Sequence, residues 1–136
     1  GISARVLHLP EETTHMALLT HIAELNSDAS VHGIIVQLPL PPAMDPQAVL
    51  AAVADSKDVD GFGAQNIGDL AMAGHTPRFT PCTPLGCMHM LESLNIPLRG
   101  KVAVVVGASN IVGLPMLLLL LKACEPQDPF LPAPRP

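Results

Sequence analysis

A continuous apolar run from His32 to Leu38, with Gln37 near its end and prolines at 39, 41 and 42 halting it, constrains the fold more than any other feature. Such a run suits a strand buried on both faces of a parallel sheet. Arg5 to Leu9 reads as a shorter strand. Between the two, Glu11 to Leu25 has helical spacing, with Met16, Leu19, Ile22 and Ala23 on one face and Thr13 or Thr14 able to cap the start. Strand, helix and strand in that order make a right-handed βαβ unit.

Further along, Asp45 and Pro46 supply a cap and an N1 proline for a helix continuing through Val49 to Ala54. Ser56 to Gly74 reads mostly as loop, punctuated by Gly61, Gly63, Gly68 and Gly74. Thr83 and Pro84 open a helix to about Leu94, Pro97 to Gly100 is a turn, and Lys101 to Val106 is a second strand of the buried kind. Gly107 to Gly113 then turns into a helix from about Leu114. Leu117 to Leu121 should be buried wherever sheet strands cover that helix, and left exposed they are an aggregation hazard. Met16, Met88, Met90 and Met116 are expected core fillers. From Cys124 to Pro136 the density of proline forbids a helix or a central strand, so an extended tail is expected.

Composition removes several classes of function. The chain has 136 residues, 49% of them hydrophobic and 14% charged, enough for an ordinary domain with a real core and too apolar for disorder. The net charge of -5, the lack of a basic stripe and the presence of only Phe62, Phe79 and Phe130 as aromatics argue against a nucleic-acid partner. The apolar run from Ile111 to Leu121 is too short to span a membrane and contains Gly113 and Pro115. Cys82, Cys87 and Cys124 form no Cys-x-x-Cys pair, so a reducing compartment is expected rather than a disulfide framework. The histidines are scattered; Cys82, Cys87 and His89 would make only a crowded, incomplete zinc site, and no metal is expected. The chain opens on Gly1 with no signal layout, and is read as starting inside a longer sequence.

Three segments carry chemistry. Gly107-Ala108-Ser109-Asn110-Ile111-Val112-Gly113 follows a strand and precedes a helix, a layout suited to a pyrophosphate because glycine admits the anion and free helix amides point at it. Ser109 stands where a second glycine would complete Gly-x-Gly-x-x-Gly, and a plain strand-to-helix turn is the alternative. Gln37 stands at the C-terminal end of a strand, where open α/β sheets bind ligands; its amide could orient a substrate or a catalytic amine, or merely satisfy local backbone. Asp58 and Asp60 flank Val59, so their carboxylates point to opposite sides. One can face a pocket and accept from the ring N–H and exocyclic amine of a 2-amino-4-oxo heterocycle, while the other caps the loop or pairs with Lys57. Turn chemistry alone is the alternative for both.

Five ordered motifs together resemble the bifunctional methylenetetrahydrofolate dehydrogenase/cyclohydrolases: Val31-His32-Gly33-Ile34-Ile35-Val36-Gln37-Leu38-Pro39-Leu40, Lys57-Asp58-Val59-Asp60-Gly61-Phe62, Asn66-Ile67-Gly68, Pro81-Cys82-Thr83-Pro84-Leu85-Gly86, and Gly107 to Pro115. The resemblance covers roughly residues 1–121. It implies an α/β fold class: a partial folate-binding βαβ catalytic domain over 1–96, the first strand and helix of a Rossmann-like NAD(P)-binding domain over 97–122, and an unrelated proline-rich tail over 123–136. It also implies oxidation of 5,10-methylenetetrahydrofolate with NADP, NAD being the alternative, followed by hydrolysis to 10-formyltetrahydrofolate. By the same resemblance Gln37 orients the catalytic lysine, Asp60 holds the pterin, and Gly107, Ala108 and Ser109 form the dinucleotide phosphate loop. Cys82 and Thr83 lie near the cleft, Cys82 as packing rather than nucleophile. Tetrahydrofolate derivatives are the implied partners, with a homodimer in the complete protein and a cytoplasmic location, mitochondrial and plastid members also existing.

Two departures bear on activity. The family's catalytic lysine lies in an upstream Tyr-x-x-x-Lys, and no tyrosine occurs here, so the chain by itself is expected to be inactive. Ala108 stands where many members carry an arginine suited to a 2′-phosphate. A catalytically dead folate- or partner-binding remnant is the second reading. Another two-domain Rossmann dehydrogenase of the shikimate type is the third, and the Val-Gln-Leu-Pro-Leu and Asp-Val-Asp-Gly motifs speak against it.

Overall fold

The computed structural model describes residues 1–123. Five helices follow one another: α1 (His15–Ser27), α2 (Pro46–Ala51), α3 (Ala64–Ala71), α4 (Cys82–Ser93) and α5 (Gly113–Lys122). The expected tail lies outside the described residues from 124 onward.

Local chemistry sets most helix ends. Thr14 caps α1, its hydroxyl accepting from the Ala17 amide at 3.2 Å, so the helix starts four residues after the expected Glu11. Asp45 caps α2 by accepting from the Gln47 amide at 2.9 Å, and Pro46 fills N1, as the sequence foretold. At the other end of α1, Lys57 Nζ donates to the carbonyls of Leu25, Asn26 and Asp28 at 2.8, 2.7 and 2.7 Å. A cation on the last carbonyls of a helix satisfies acceptors that the helix cannot. Asn26 braces the same corner, donating to Ala52 O at 2.7 Å and accepting from the Ala54 amide at 3.0 Å.

Two apolar clusters result. Leu18, Ile22, Ile34, Val49 and Val53 join α1, the run around Ile34 and α2. Leu70, Met88 and Leu119 join α3, α4 and α5, with α5 packed on both other helices. The buried residues of α1 are Leu18 and Ile22, one turn apart; of the expected face, Ile22 is buried and Leu19 packs partly buried against the same cluster, whereas Met16 and Ala23 are exposed. Of the methionines expected inside, Met88 is buried and Met116 partly so, whereas Met16 and Met90 are exposed.

The strand expectations need correction. Arg5–Leu9, His32–Leu38 and Lys101–Val106 contain no named strand; the only pairing among the described residues is a parallel bridge between Ile34 and Asp58, with the Ile34 amide on Lys57 O at 2.8 Å. A strand exists through its neighbours' hydrogen bonds, and none of the described residues supplies a ladder beside these runs. Lys101–Val106 is therefore open to solvent instead of buried, with Val102 at 93% and Val106 at 97% exposure. The segment read as loop from Ser56 to Gly74 contains helix α3. Its Gly68 has open space around it, and Asn66 and Leu70, one turn apart, both point inward.

Candidate active site

Alternation along Lys57-Asp58-Val59-Asp60 sends the two carboxylates to different environments. Asp58 is 5% exposed and takes four donors: the amides of Gly61 (3.1 Å), Phe62 (3.3 Å) and Gly63 (2.7 Å), and Asn66 Nδ2 (3.0 Å). It is the residue that shapes the loop, the capping role that one of the pair was expected to take. Lys57 pairs with neither carboxylate, being occupied at the end of α1.

Asp60 is half-buried and has no hydrogen-bond or ion-pair partner among the described residues. Burial pushes its carboxyl above the ordinary aspartate value, and the nearby negative charge of Asp58 adds to the rise. A half-buried carboxylate without partners is an acceptor looking for a donor.

The loop carrying Asp60 is closed by the segment before α4. Gly61 has φ +70°, and a Cβ there would lie 2.7 Å from Phe79 O and 3.0 Å from Pro81 N, so glycine is needed both for the turn and for the approach. Asn66, 1% exposed, ties the two pieces: its Nδ2 holds Asp58, and its Oδ1 accepts from the Phe79 amide at 3.1 Å. Asp60 thus lies beside the turn that leads through Pro81 into Cys82 and Thr83, both exposed at the start of α4. Asn66 appeared in the sequence only as part of a motif; its burial beside the Asp58 carboxylate is a tertiary fact with no local signal.

Gln37 is exposed three residues beyond the Ile34–Asp58 bridge, and its Nε2 donates to Leu38 O at 2.9 Å. Its Oε1 has no partner among the described residues, so half of the amide is spent locally and half is free. The Leu38–Pro39 peptide that follows is cis.

Gly107, Ala108 and Ser109 are exposed. Gly107 has φ +120°, and a Cβ on Gly113 would collide with the Gly107 carbonyl, so both glycines are required for the turn to close on α5. Ser109 is the device that starts the helix: its Oγ accepts from the amides of Val112 (3.2 Å) and Gly113 (3.3 Å), and its carbonyl from Leu114 (2.9 Å). The amides of Ala108 to Ile111 have no acceptor among the described residues. A glycine turn with free amides at a helix N-terminus fits a phosphate group.

The structure brings the Asp60 loop against the Pro81 turn, and the bridge at Ile34 holds the Gln37 run to the Asp58 run. Two cavities among the described residues include none of Gln37, Asp60 and Gly107–Ser109. They measure about 390 and 470 Å³ and lie between Arg5–Leu9 and α1, and among Asp55, Gln65, Asn66, Asp69 and Thr76–Arg78. None of the three is sealed in a core. Among the described residues no cluster of histidine, cysteine or carboxylate could hold a metal, and no helix is long and apolar enough to cross a membrane.

Sequence comparison matches two profiles of one family. Residues 1–60 match the tetrahydrofolate dehydrogenase/cyclohydrolase catalytic domain, and residues 81–126 its NAD(P)-binding domain. The bifunctional protein FolD 2 of Arabidopsis thaliana is 52% identical over 123 residues, covering 90% of this chain and 41% of that protein. Among solved structures, the bifunctional FolD methylenetetrahydrofolate dehydrogenase/cyclohydrolase of Campylobacter jejuni superposes with a TM-score of 0.78 at 50% identity over 85% of this chain and 41% of that one. The Trypanosoma brucei enzyme, solved with NADP cofactor and inhibitor, gives 0.81 at 36% identity over 85% of this chain and 39% of that one. The chain thus spans about two fifths of the length of these relatives. Matches to both domain profiles, over most of its residues and in the order of the family, identify a partial α/β chain that belongs to the tetrahydrofolate dehydrogenase/cyclohydrolases.

Proposed function

We propose that the protein serves one-carbon folate metabolism, oxidising 5,10-methylenetetrahydrofolate to the methenyl form with NADP and hydrolysing that product to 10-formyltetrahydrofolate. The single observation that carries the reading is the unpartnered, half-buried carboxylate of Asp60 beside the Pro81 turn. A carboxylate there accepts from the ring N–H and the 2-amino group of a pterin, two donors at the spacing of its two oxygens. Gln37 Oε1, free of protein partners, is available to orient the amine that activates water in the hydrolysis. The free amides from Ala108 to Ile111 would hold the dinucleotide phosphates. A bound nicotinamide supplies the hydride acceptor; the protein's part is to hold the two planar partners in register.

In this reading, residues 1–96 carry the folate side, 97–122 the opening of the nucleotide side, and 123–136 a separate tail. A homodimer and a cytoplasmic location belong to the same proposal.

None of the three lysines in the sequence supports hydrolysis by this chain alone. Lys57 is held on the carbonyls ending α1, and buried Lys122 on Asp69 O (3.3 Å) and His75 O (2.7 Å). Lys101 sits in the exposed run before Gly107, far along the chain from Gln37. The 136-residue chain should therefore bind folate yet fail to hydrolyse methenyltetrahydrofolate above the uncatalysed rate. An absorbance assay tests this directly, and turnover by the pure chain would contradict it.

A further inference from the structure

Beside the proposed folate contact the chain holds a hydroxyl with nothing to bond. Thr80 is 9% exposed, its Oγ1 is closed to solvent, and it has no hydrogen-bond partner. Such a group costs free energy in the folded chain, so it is uncommon away from places that use it. Its position is defined on both sides. Phe79 and Pro81 press on Gly61 at the distances given above, and the Phe79 amide is anchored on Asn66. Thr80 is thereby clamped across the residue that follows Asp60. Thr80, whose hydroxyl has no partner, lies between the two residues that approach Gly61, and Asp60, whose carboxylate has no partner among the described residues, directly precedes that glycine.

A 2-amino-4-oxo ring presents an amine, a ring N–H and a carbonyl oxygen in sequence along one edge. A carboxylate satisfies the first two and leaves the carbonyl oxygen in need of a donor. We infer that Thr80 is that donor: its hydroxyl donates to the 4-oxo oxygen of the ring held by Asp60, and so selects 4-oxo over 4-amino rings. The inference rests on the folate reading of Asp60. Because the hydroxyl is shut from water in the free chain, ring entry includes a change of Thr80 rotamer.

The test is calorimetric titration of the 136-residue chain, as wild type, Thr80→Ser and Thr80→Val, with folic acid and with its 2,4-diamino analogue. Thr80→Val should weaken folic acid about tenfold, Thr80→Ser should keep it, and the diamino analogue should change less than about twofold, since only the 4-oxo oxygen loses a hydrogen bond. Thr80→Val should also melt no lower than wild type, because it removes a buried hydroxyl that had no partner. Equal weakening of both ligands by Thr80→Val, or folic acid binding untouched by it, overturns the role of Thr80 and leaves the Asp60 reading standing. Failure of the wild-type chain to bind either ligand overturns both.

Discussion

The 3.0 Å hydrogen bond from Asn66 Nδ2 to Asp58 Oδ2 fastens helix α3 to the loop that bears the proposed folate contact. Asn66 then reaches on to Phe79, so one amide with almost no exposure sets how the Asp60 loop meets the Pro81 turn. Asp58 provides the stiffness and Asp60 is left over for a ligand.

That division predicts opposite mutational effects two residues apart. Asp58→Ala should lower the stability of the chain by about 3 kcal/mol, since three amides and the Asn66 side chain lose a charged acceptor in a buried place. Asp60→Asn should be neutral or stabilising at neutral pH, because no partner is lost and a half-buried charge is removed. Urea denaturation of both variants checks the contrast, and equal losses would contradict it.

The pH dependence follows with its sign. Burial and the charge of Asp58 raise the folded-state pKa of Asp60 above its unfolded value. Between those two values the folded chain binds more protons than the unfolded one. The contribution of Asp60 to stability is therefore greatest below the unfolded pKa, falls as pH rises through the window, and is flat above it. Asp60→Asn should remove this component from a plot of melting temperature against pH. Binding of a 2-amino-4-oxo ring needs the ionised form, so affinity should rise with pH through the same window.

Lys57 offers a third check. Three carbonyls at the end of α1 converge on its ammonium group. Lys57→Met keeps the apolar stem and removes the donor, and should cost about 2 kcal/mol, read in urea, with greater amide exchange in the last turn of α1.

How much of this could be read from residues alone depended on the range of the forces involved. Helices α1, α2, α4 and α5 were legible because caps and breakers such as Thr14, Asp45 with Pro46, and Gly113 act within one turn. Helix α3 was hidden by its glycines, since its two inward residues meet partners elsewhere: Asn66 in the Asp58 loop, Leu70 among Met88 and Leu119. Val102, Val104 and Val106 have the side chains of a strand but form none, because a ladder is a property of two chains of atoms and only one is present among the described residues. For the site, alternation foretold that Asp58 and Asp60 would part company, without telling which would be buried. Thr80 and Lys122 gave no signal, because an orphaned hydroxyl and a lysine buried on two carbonyls are defined only by what surrounds them.

The exposed valine run also has a consequence for handling the protein. An unpaired, apolar, extended segment is a template for association. Val104→Lys should reduce self-association in light scattering while leaving the melting temperature within about 1 °C, because Val104 touches no core in the described structure. Unchanged scattering would show that this run is not the sticky surface.

The central claim is that Asp60 is the carboxylate that grips the pterin. Isothermal titration of folic acid into the wild-type chain and into Asp60→Asn, at a pH above the Asp60 window, tests it in one experiment. Saturable binding by the wild type that weakens at least about tenfold in Asp60→Asn is the expected result. Equal affinity of the two proteins for folic acid would contradict the account.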